Sequence, residues 1–269
     1  MGIKLVTIDI DGTLLNSDRK LTEAVKNTIN KATKAGVNIV LATGRPTIGV
    51  LPLVKELGLD NEHGFVITYN GAMIQNAGTE DVLIQHPVAF EDYLDFELLA
   101  RKLGVHFHVQ DYKSMYTANK DISPYTIHES SLTGMPVKYR EVSEMTPDMT
   151  IIKTMMIDHE EILDEAITKI PSELKEQFAM VKSAPFFYEI LNKNATKGEA
   201  VKELAELLKI EPHEVMAIGD NENDLSMIEF AGTGVAMGNA VPTVKEIANK
   251  ITKTNDEDGV SYAIEEWVL

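Results

Sequence analysis

The sequence predicts an α/β protein in which a Rossmann-like, parallel-sheet core is interrupted by an inserted α+β domain. Three observations predict it. Apolar strand-like runs alternate with amphipathic helical stretches over residues 1–84, and the same rhythm resumes over 191–269. Between them, over 85–190, short strand-like runs cluster around two helical patterns, as in a largely antiparallel module. In the outer segments, strand after strand ends in a polar or glycine-containing loop, the edge at which open α/β sheets bind ligands.

In chain order, the apolar run Ile3 to Ile8 reads as the first strand and leads into Asp9-Ile10-Asp11-Gly12-Thr13-Leu14. A helix follows from Leu21 and Thr22, with Val25, Ile29 and Ala32 on one face, and Gly36 closes it. Residues 37–42 form a buried strand ending in Thr43-Gly44-Arg45, a helix covers roughly 47–57, and 65–68 form a third strand ending in Tyr69-Asn70-Gly71. Within the insertion, strand-like runs fall at 105–109, 114–117, 151–157, 178–181 and 186–190. Helices are expected near 93–103 and 160–170, and Pro124, Pro136 and Pro147 mark loops. The outer rhythm returns with a helix over 198–208, a strand over 215–218 and the acidic loop Asp220 to Asp224. A helix carrying Leu225, Ile228 and Ala231, a strand over 234–238, a helix over 241–248 and a terminal helix with Trp267 packed at its end complete the chain.

Composition narrows the function. The 269 residues suffice for two domains with separate cores. No apolar run approaches the roughly 20 residues of a membrane-spanning helix, and Asp9 and Asp11 interrupt the stretch where an export signal would need an apolar core. With no cysteine, disulfides and thiolate chemistry are excluded, and a cytoplasmic protein is expected. A net charge of −17 argues against nucleic-acid binding. It also requires any phosphate site to supply its own positive charge, from a metal, a lysine or a helix N-terminus.

Residues two apart on a strand face the same way, so Asp9 and Asp11 both project past the end of the first strand. Two such carboxylates suit a hard divalent cation, although an ordinary polar loop would read the same way. Thr43 could equally be a helix cap, Lys197 a solvated first-turn lysine, and Asp220-Asn223-Asp224 a plain loop. Taken together they have a chemical logic. Asp9 and Asp220 can share a metal, Lys197 and that metal can offset a phosphoryl group, and Thr43 and Asn223 can donate to its oxygens.

The four segments Asp9-Ile10-Asp11-Gly12-Thr13, Thr43-Gly44-Arg45, Lys197-Gly198 and Gly219-Asp220-Asn221-Glu222-Asn223-Asp224 resemble, in order and spacing, the four motifs of the haloacid dehalogenase-like (HAD) phosphatases. The insertion resembles the type-two cap of that superfamily, and Asn70-Gly71-Ala72 fits its Cof subfamily. The resemblance implies a HAD core bearing an inserted cap that governs substrate specificity. It also implies a Mg²⁺-dependent phosphatase that hydrolyses monoesters of small metabolites, chiefly sugar phosphates, through an aspartyl-phosphate. Asp9 would be the nucleophile and Asp11 the acid/base, starting protonated. Ile10 (through its backbone N–H), Thr43, Gly44, Lys197 and Asn223 would bind phosphate. Asp9, Asp11 (through its backbone carbonyl) and Asp220 would hold Mg²⁺, with Asp224 supporting from outside. Arg45, Asn70, His106, His108, His128, Lys182 and Tyr188 are candidates for contacts to the leaving group. Partners are a phosphorylated metabolite, with neither nucleic acid nor membrane, and a monomer or homodimer is expected. A phosphomutase on the same core, or a phospho-Asp signalling domain, are the competing readings; the first would carry a smaller cap, and the second would be a single domain of about 120 residues with its Asp after a later strand.

Overall fold

A computed structural model describes residues 2–269. The chain divides into two compact units, one comprising residues 2–45, 50–84 and 196–269, the other 46–49 and 85–195.

The first unit is built on an eight-stranded sheet. Its order is Lys250–Ile251, Thr233–Ala236, Val215–Gly219, Leu5–Ile8, Asn38–Ala42, Phe65–Thr68, Met73–Asn76 and Val82–Gln85. The first six run parallel, and Met73–Asn76 turns back antiparallel to Phe65–Thr68. Leu5–Ile8 and Val215–Gly219 are buried at every position, as expected where helices cover both faces of a parallel sheet. The crossover helix Glu23–Lys34 starts at Thr22, whose side chain accepts from the Val25 N–H at 3.3 Å, and buries Val25, Thr28, Ile29 and Ala32. The helix Lys197–Leu208 is capped in the same way by Thr196, which accepts from the Glu199 N–H at 3.1 Å. Trp267 packs at the end of the terminal helix Gly259–Trp267, partly buried against this core.

The second unit is a six-stranded sheet in the order Phe178–Ala184, Phe187–Asn192, Lys153–Ile157, His106–Gln110, Met115–Thr117 and Val137–Tyr139. Its pairings are antiparallel except the last, which is parallel. Tyr93, Phe96 and Ala100 of the helix Phe90–Leu103, with Leu163 and Ala166 of Glu160–Thr168, join Phe107, Met156, Tyr188 and Ile190 in one apolar core. Pro124 does not mark a loop: it is the first residue of the helix Pro124–Thr133, with Ser123 accepting from the Tyr125 N–H. A proline is tolerated there because the first helical N–H has no intrahelical partner.

The polar residues of this sheet form a buried cluster. Lys153, 2% exposed, lies 3.4 Å from Glu129 and 3.3 Å from Glu189. The two carboxylates hold the Lys153 ammonium above its ordinary range despite burial, and Lys153 with Gln110 holds Glu129 below its own. His108 shares this interior, 3.3 Å from the Thr126 hydroxyl. Burial pushes its pKa down to about 3, with Lys153 adding to the fall and Glu129 opposing it.

An unfolded histidine titrates near pH 6.5, so below that pH the unfolded chain binds a proton that folded His108 refuses. Stability should therefore drain away as pH falls from about 6.5 towards 3, at up to about 1.4 kcal/mol per pH unit. In thermal unfolding across pH 6.5 to 4.5, the His108→Gln variant should lose Tm less steeply than the natural chain. Equal slopes would contradict this reading.

Candidate active site

The site is assembled where the adjacent parallel strands Leu5–Ile8 and Val215–Gly219 end. The Asp9 N–H continues the ladder, donating to the Ile218 carbonyl at 3.0 Å, and the chain then folds back so that the Leu14 N–H donates to the Asp9 carbonyl. The Asp9 carboxylate is left at the strand end, 6% exposed. The Ile10 side chain is fully buried in the core.

Lys197 lies between two carboxylates. Its Nζ donates to Asp9 Oδ1 at 2.5 Å and to Asp224 Oδ1 at 2.6 Å, and the residue is 1% exposed. The other oxygen of Asp224 accepts the backbone N–H groups of Asp220 and Asn221 at 2.9 and 3.0 Å. Asp220 Oδ1 accepts the Thr13 hydroxyl at 2.7 Å. Two glycines make room for these carboxylates. A Cβ on Gly219 would fall 2.5 Å from the side chain of Asp224, and one on Gly12, whose φ is +85°, would fall 2.5 Å from Asp220 Oδ2.

Asp9, Asp220 and Asp224 each bring a carboxylate oxygen to within 4.8 Å of the others. Burial and the neighbouring Asp224 carboxylate push the Asp9 pKa up to about 8, against the pull of Lys197. Burial likewise raises Asp220, while the Thr13 hydroxyl opposes the rise. The two carboxylates around it push Lys197 up. Two buried carboxylates and one half-buried one thus face one buried cation, an excess of negative charge that a hard divalent ion would relieve. The donor set fits such an ion. Asp224 has both oxygens engaged by Lys197 and the backbone, so a metal would fall to Asp9 and Asp220, and Asp9 Oδ1, with Lys197 as a partner, keeps a lone pair for it.

The second and third strand ends complete the constellation. Thr43 is 1% exposed, and its hydroxyl oxygen accepts the Arg45 N–H at 3.1 Å, which leaves the hydroxyl proton to donate elsewhere. Asn70, in the left-handed region at φ 56°, donates its N–H to the Thr43 carbonyl at 2.9 Å and accepts from Asn223 Nδ2 at 3.1 Å. That bond aligns the Asn223 amide beside Thr43-Gly44. Arg45 grips Asp11 through two hydrogen bonds, Nε to Oδ2 at 2.8 Å and Nη2 to Oδ1 at 2.5 Å. The acid/base role expected of Asp11 therefore falls on a side chain already engaged by a guanidinium. The contacts of Thr13 and Arg45 were missed from the sequence, although both residues lie within the motifs that flag the site.

One candidate in the second unit, Tyr188, is corrected. Tyr188 is buried in the apolar core, its hydroxyl donating to Met180 Sδ. Lys182, opposite Tyr188 in the strand pairing and so on the same face, forms ion pairs with Asp164 and Glu160. His106 pairs with Asp158 at 2.8 Å, and His108 is buried. His128 is exposed, its ring edge-on to Phe186 and stacked on Phe187.

Replacing Lys197 by Met should leave two buried carboxylates without their cation and cost about 3–5 kcal/mol in urea unfolding. A divalent cation should recover part of that loss. A variant as stable as the natural chain would refute the central place given to Lys197.

Comparison with known proteins agrees with this geometry. The profile of the haloacid dehalogenase-like hydrolases matches residues 6–264. YxeH of Bacillus subtilis (strain 168), named as a candidate phosphatase, is 48% identical over 266 residues, covering 99% of this chain and 98% of its own. A crystal structure of a haloacid dehalogenase-like hydrolase from Bacteroides thetaiotaomicron superimposes with a TM-score of 0.87 at 34% identity, covering 98% of both chains. A HAD subclass IIB sugar phosphatase does so with a TM-score of 0.77 at 26% identity, covering 97% of this chain and 98% of its own. The chain belongs to the haloacid dehalogenase-like hydrolase family.

Proposed function

We propose that this chain is a Mg²⁺-dependent phosphatase that hydrolyses monoesters of small phosphorylated metabolites, chiefly sugar phosphates, with Asp9 as the nucleophile. One observation carries the reading: the Asp9 carboxylate is buried at a strand end with one oxygen fixed by Lys197 at 2.5 Å, which leaves the other free to attack. The phosphatase designation of YxeH and the sugar phosphatase among the structural neighbours support it.

Asp9 and Asp220, with the Asp11 backbone carbonyl, would hold the cation. When bound, it neutralises charge on the carboxylates and on the phosphoryl oxygens. Asp9 Oδ2 attacks phosphorus as the bond to the leaving oxygen breaks, giving an aspartyl-phosphate and an alkoxide that takes a proton from Asp11. Water then attacks the same phosphorus and gives its proton to Asp11, the bond to Asp9 breaks, and inorganic phosphate is released. Thr43, the Gly44 and Ile10 backbone N–H groups, Lys197 and Asn223 bind the phosphoryl oxygens. Asp224 acts through Lys197, holding its ammonium against Asp9. For Asp11 to carry a proton, its ion pair with Arg45 must open, so Arg45 is a residue that substrate binding would displace.

The second unit is proposed as the cap that selects the leaving group. Of the candidates there, His128 stands out, because its imidazole is exposed on an aromatic patch rather than buried or ion-paired.

The Asp9→Asn variant should lose p-nitrophenyl phosphate hydrolysis by at least about 10⁴-fold; retained turnover would overturn the mechanism. EDTA should stop the natural enzyme and Mg²⁺ restore it, whereas activity undiminished in EDTA would remove the metal from the account. His128→Ala should change relative rates among sugar phosphates more than it changes p-nitrophenyl phosphate hydrolysis. Equal losses on all substrates would take His128 out of specificity.

A further inference from the structure

A cavity of about 520 Å³ opens beside Asp11 and Gly12, wholly within the first unit. Its wall is the tight turn from Asn16 to Lys20 facing the loop at Asn255 and Asp256. The turn is closed by the Asn16 N–H donating to the Lys20 carbonyl at 3.1 Å and the Arg19 N–H donating to the Asn16 carbonyl at 2.8 Å. Arg19 sits at φ 59°, a conformation that costs a non-glycine residue about 1 kcal/mol or more and that clusters at functional positions.

The hydrogen-bonding capacity of the wall is unevenly spent. Asp256 accepts the Ser17 N–H and hydroxyl, one on each oxygen, at 2.9 and 2.7 Å. Asn239 donates to the Gly12 carbonyl and accepts from the Asn255 N–H, while Asn255 Nδ2 donates to the Leu15 carbonyl. Both oxygens of Asp11 are taken by Arg45. The Ser17 contacts hold Asp256 below its ordinary range, so it keeps its charge, and among the described residues the exposed Arg19 guanidinium has neither an ion pair nor a hydrogen bond. Lys20, next in the turn, has Asp18 at 3.8 Å. In a chain with 42 acidic and 25 basic residues, an unpaired arginine on a cavity that begins at the proposed acid/base is a charge held open for an anion.

We propose that Arg19 is a specificity-determining residue that binds a second anionic group, a carboxylate or phosphate, on the leaving alcohol of the substrate. The proposal rests on the phosphatase reading above. The leaving oxygen must lie at Asp11 to receive its proton, so the remainder of that alcohol extends along the cavity towards Arg19. Substrates that carry a second anion gain a charge-assisted contact that neutral sugars lack.

The test is steady-state kinetics with Mg²⁺ on matched pairs: phosphoglycerate against glycerol phosphate, and fructose bisphosphate against fructose phosphate, with p-nitrophenyl phosphate as reference. Arg19→Gly suits the left-handed turn and so retains the fold. It should lower the ratio of kcat/KM for the ester with a second anion to that for its partner with an uncharged leaving alcohol by about tenfold, through KM, and Arg19→Lys should recover part of the ratio. A fall in the carboxylate pair alone, or in the bisphosphate pair alone, identifies which anion is read. If the esters with an uncharged leaving alcohol are hydrolysed but neither ratio moves, or if both members of each pair lose equally, the assignment of Arg19 is overturned and the phosphatase reading stands. If the natural enzyme hydrolyses no monoester, both fall.

Discussion

The ion pairs of Lys197 with Asp9 and Asp224 are the constraint on which the rest of the first unit depends. Lys197 opens a helix, where the backbone dipole is positive and a buried ammonium is disfavoured twice, by desolvation and by the dipole. It is tolerable there only because two carboxylates meet it at 2.5 and 2.6 Å. Those carboxylates lie 188 and 27 residues away in sequence, so the contact ties the end of the first strand, the start of a helix after the insertion, and the acidic loop to one point. A buried pair of this kind adds little net stability, and removing one partner is costly. It fixes geometry, and geometry is what phosphoryl transfer demands of a protein.

The same contact explains the charge of the site. One lysine does not balance three gathered carboxylates, and Asp9 is accordingly pushed up to about 8 by burial and by Asp224. The nucleophile proposed at Asp9 would have to be ionised, so the proposal asks for further positive charge at the site. With Asp224 engaged by Lys197 and two backbone N–H groups, a divalent cation would be left Asp9 and Asp220 as its carboxylate ligands. These two are neighbours because their strands pair in register, Ile8 beside Ile218. The helix dipole that disfavours Lys197 favours the anions opposite it.

Much of this was legible in the sequence. The parallel core was readable because its strands are apolar runs that lead into polar or glycine-containing loops, as Phe65–Thr68 leads into Tyr69-Asn70-Gly71 and Val215–Gly219 into Asp220. Asp9, Thr43, Lys197, Asp220 and Asn223 were marked as a group by their positions at strand ends and helix starts. The second unit was less readable, because its sheet buries polar and apolar residues alike. Lys153, His108 and Glu189 are interior, and Tyr188 is packed into the apolar core while Lys182 opposite it stays exposed and ion-paired with Asp164. The helix Pro124–Thr133 was hidden by its proline start and by an apolar pattern with little periodicity. The grip of Arg45 on Asp11 could not be read from spacing, since it depends on where two side chains turn at neighbouring strand ends.

The central claim is that Asp9 becomes covalently phosphorylated, and the most direct measurement is peptide mass spectrometry after acid quench of the Asp11→Asn variant mixed with p-nitrophenyl phosphate and Mg²⁺. The nitrophenolate leaves without a proton donor, while hydrolysis of the intermediate lacks its base, so phosphoenzyme should accumulate. The account predicts one phosphoryl group on the peptide containing Asp9, located at that residue. Release of nitrophenolate with that peptide unmodified, or with the group on another residue, would contradict it.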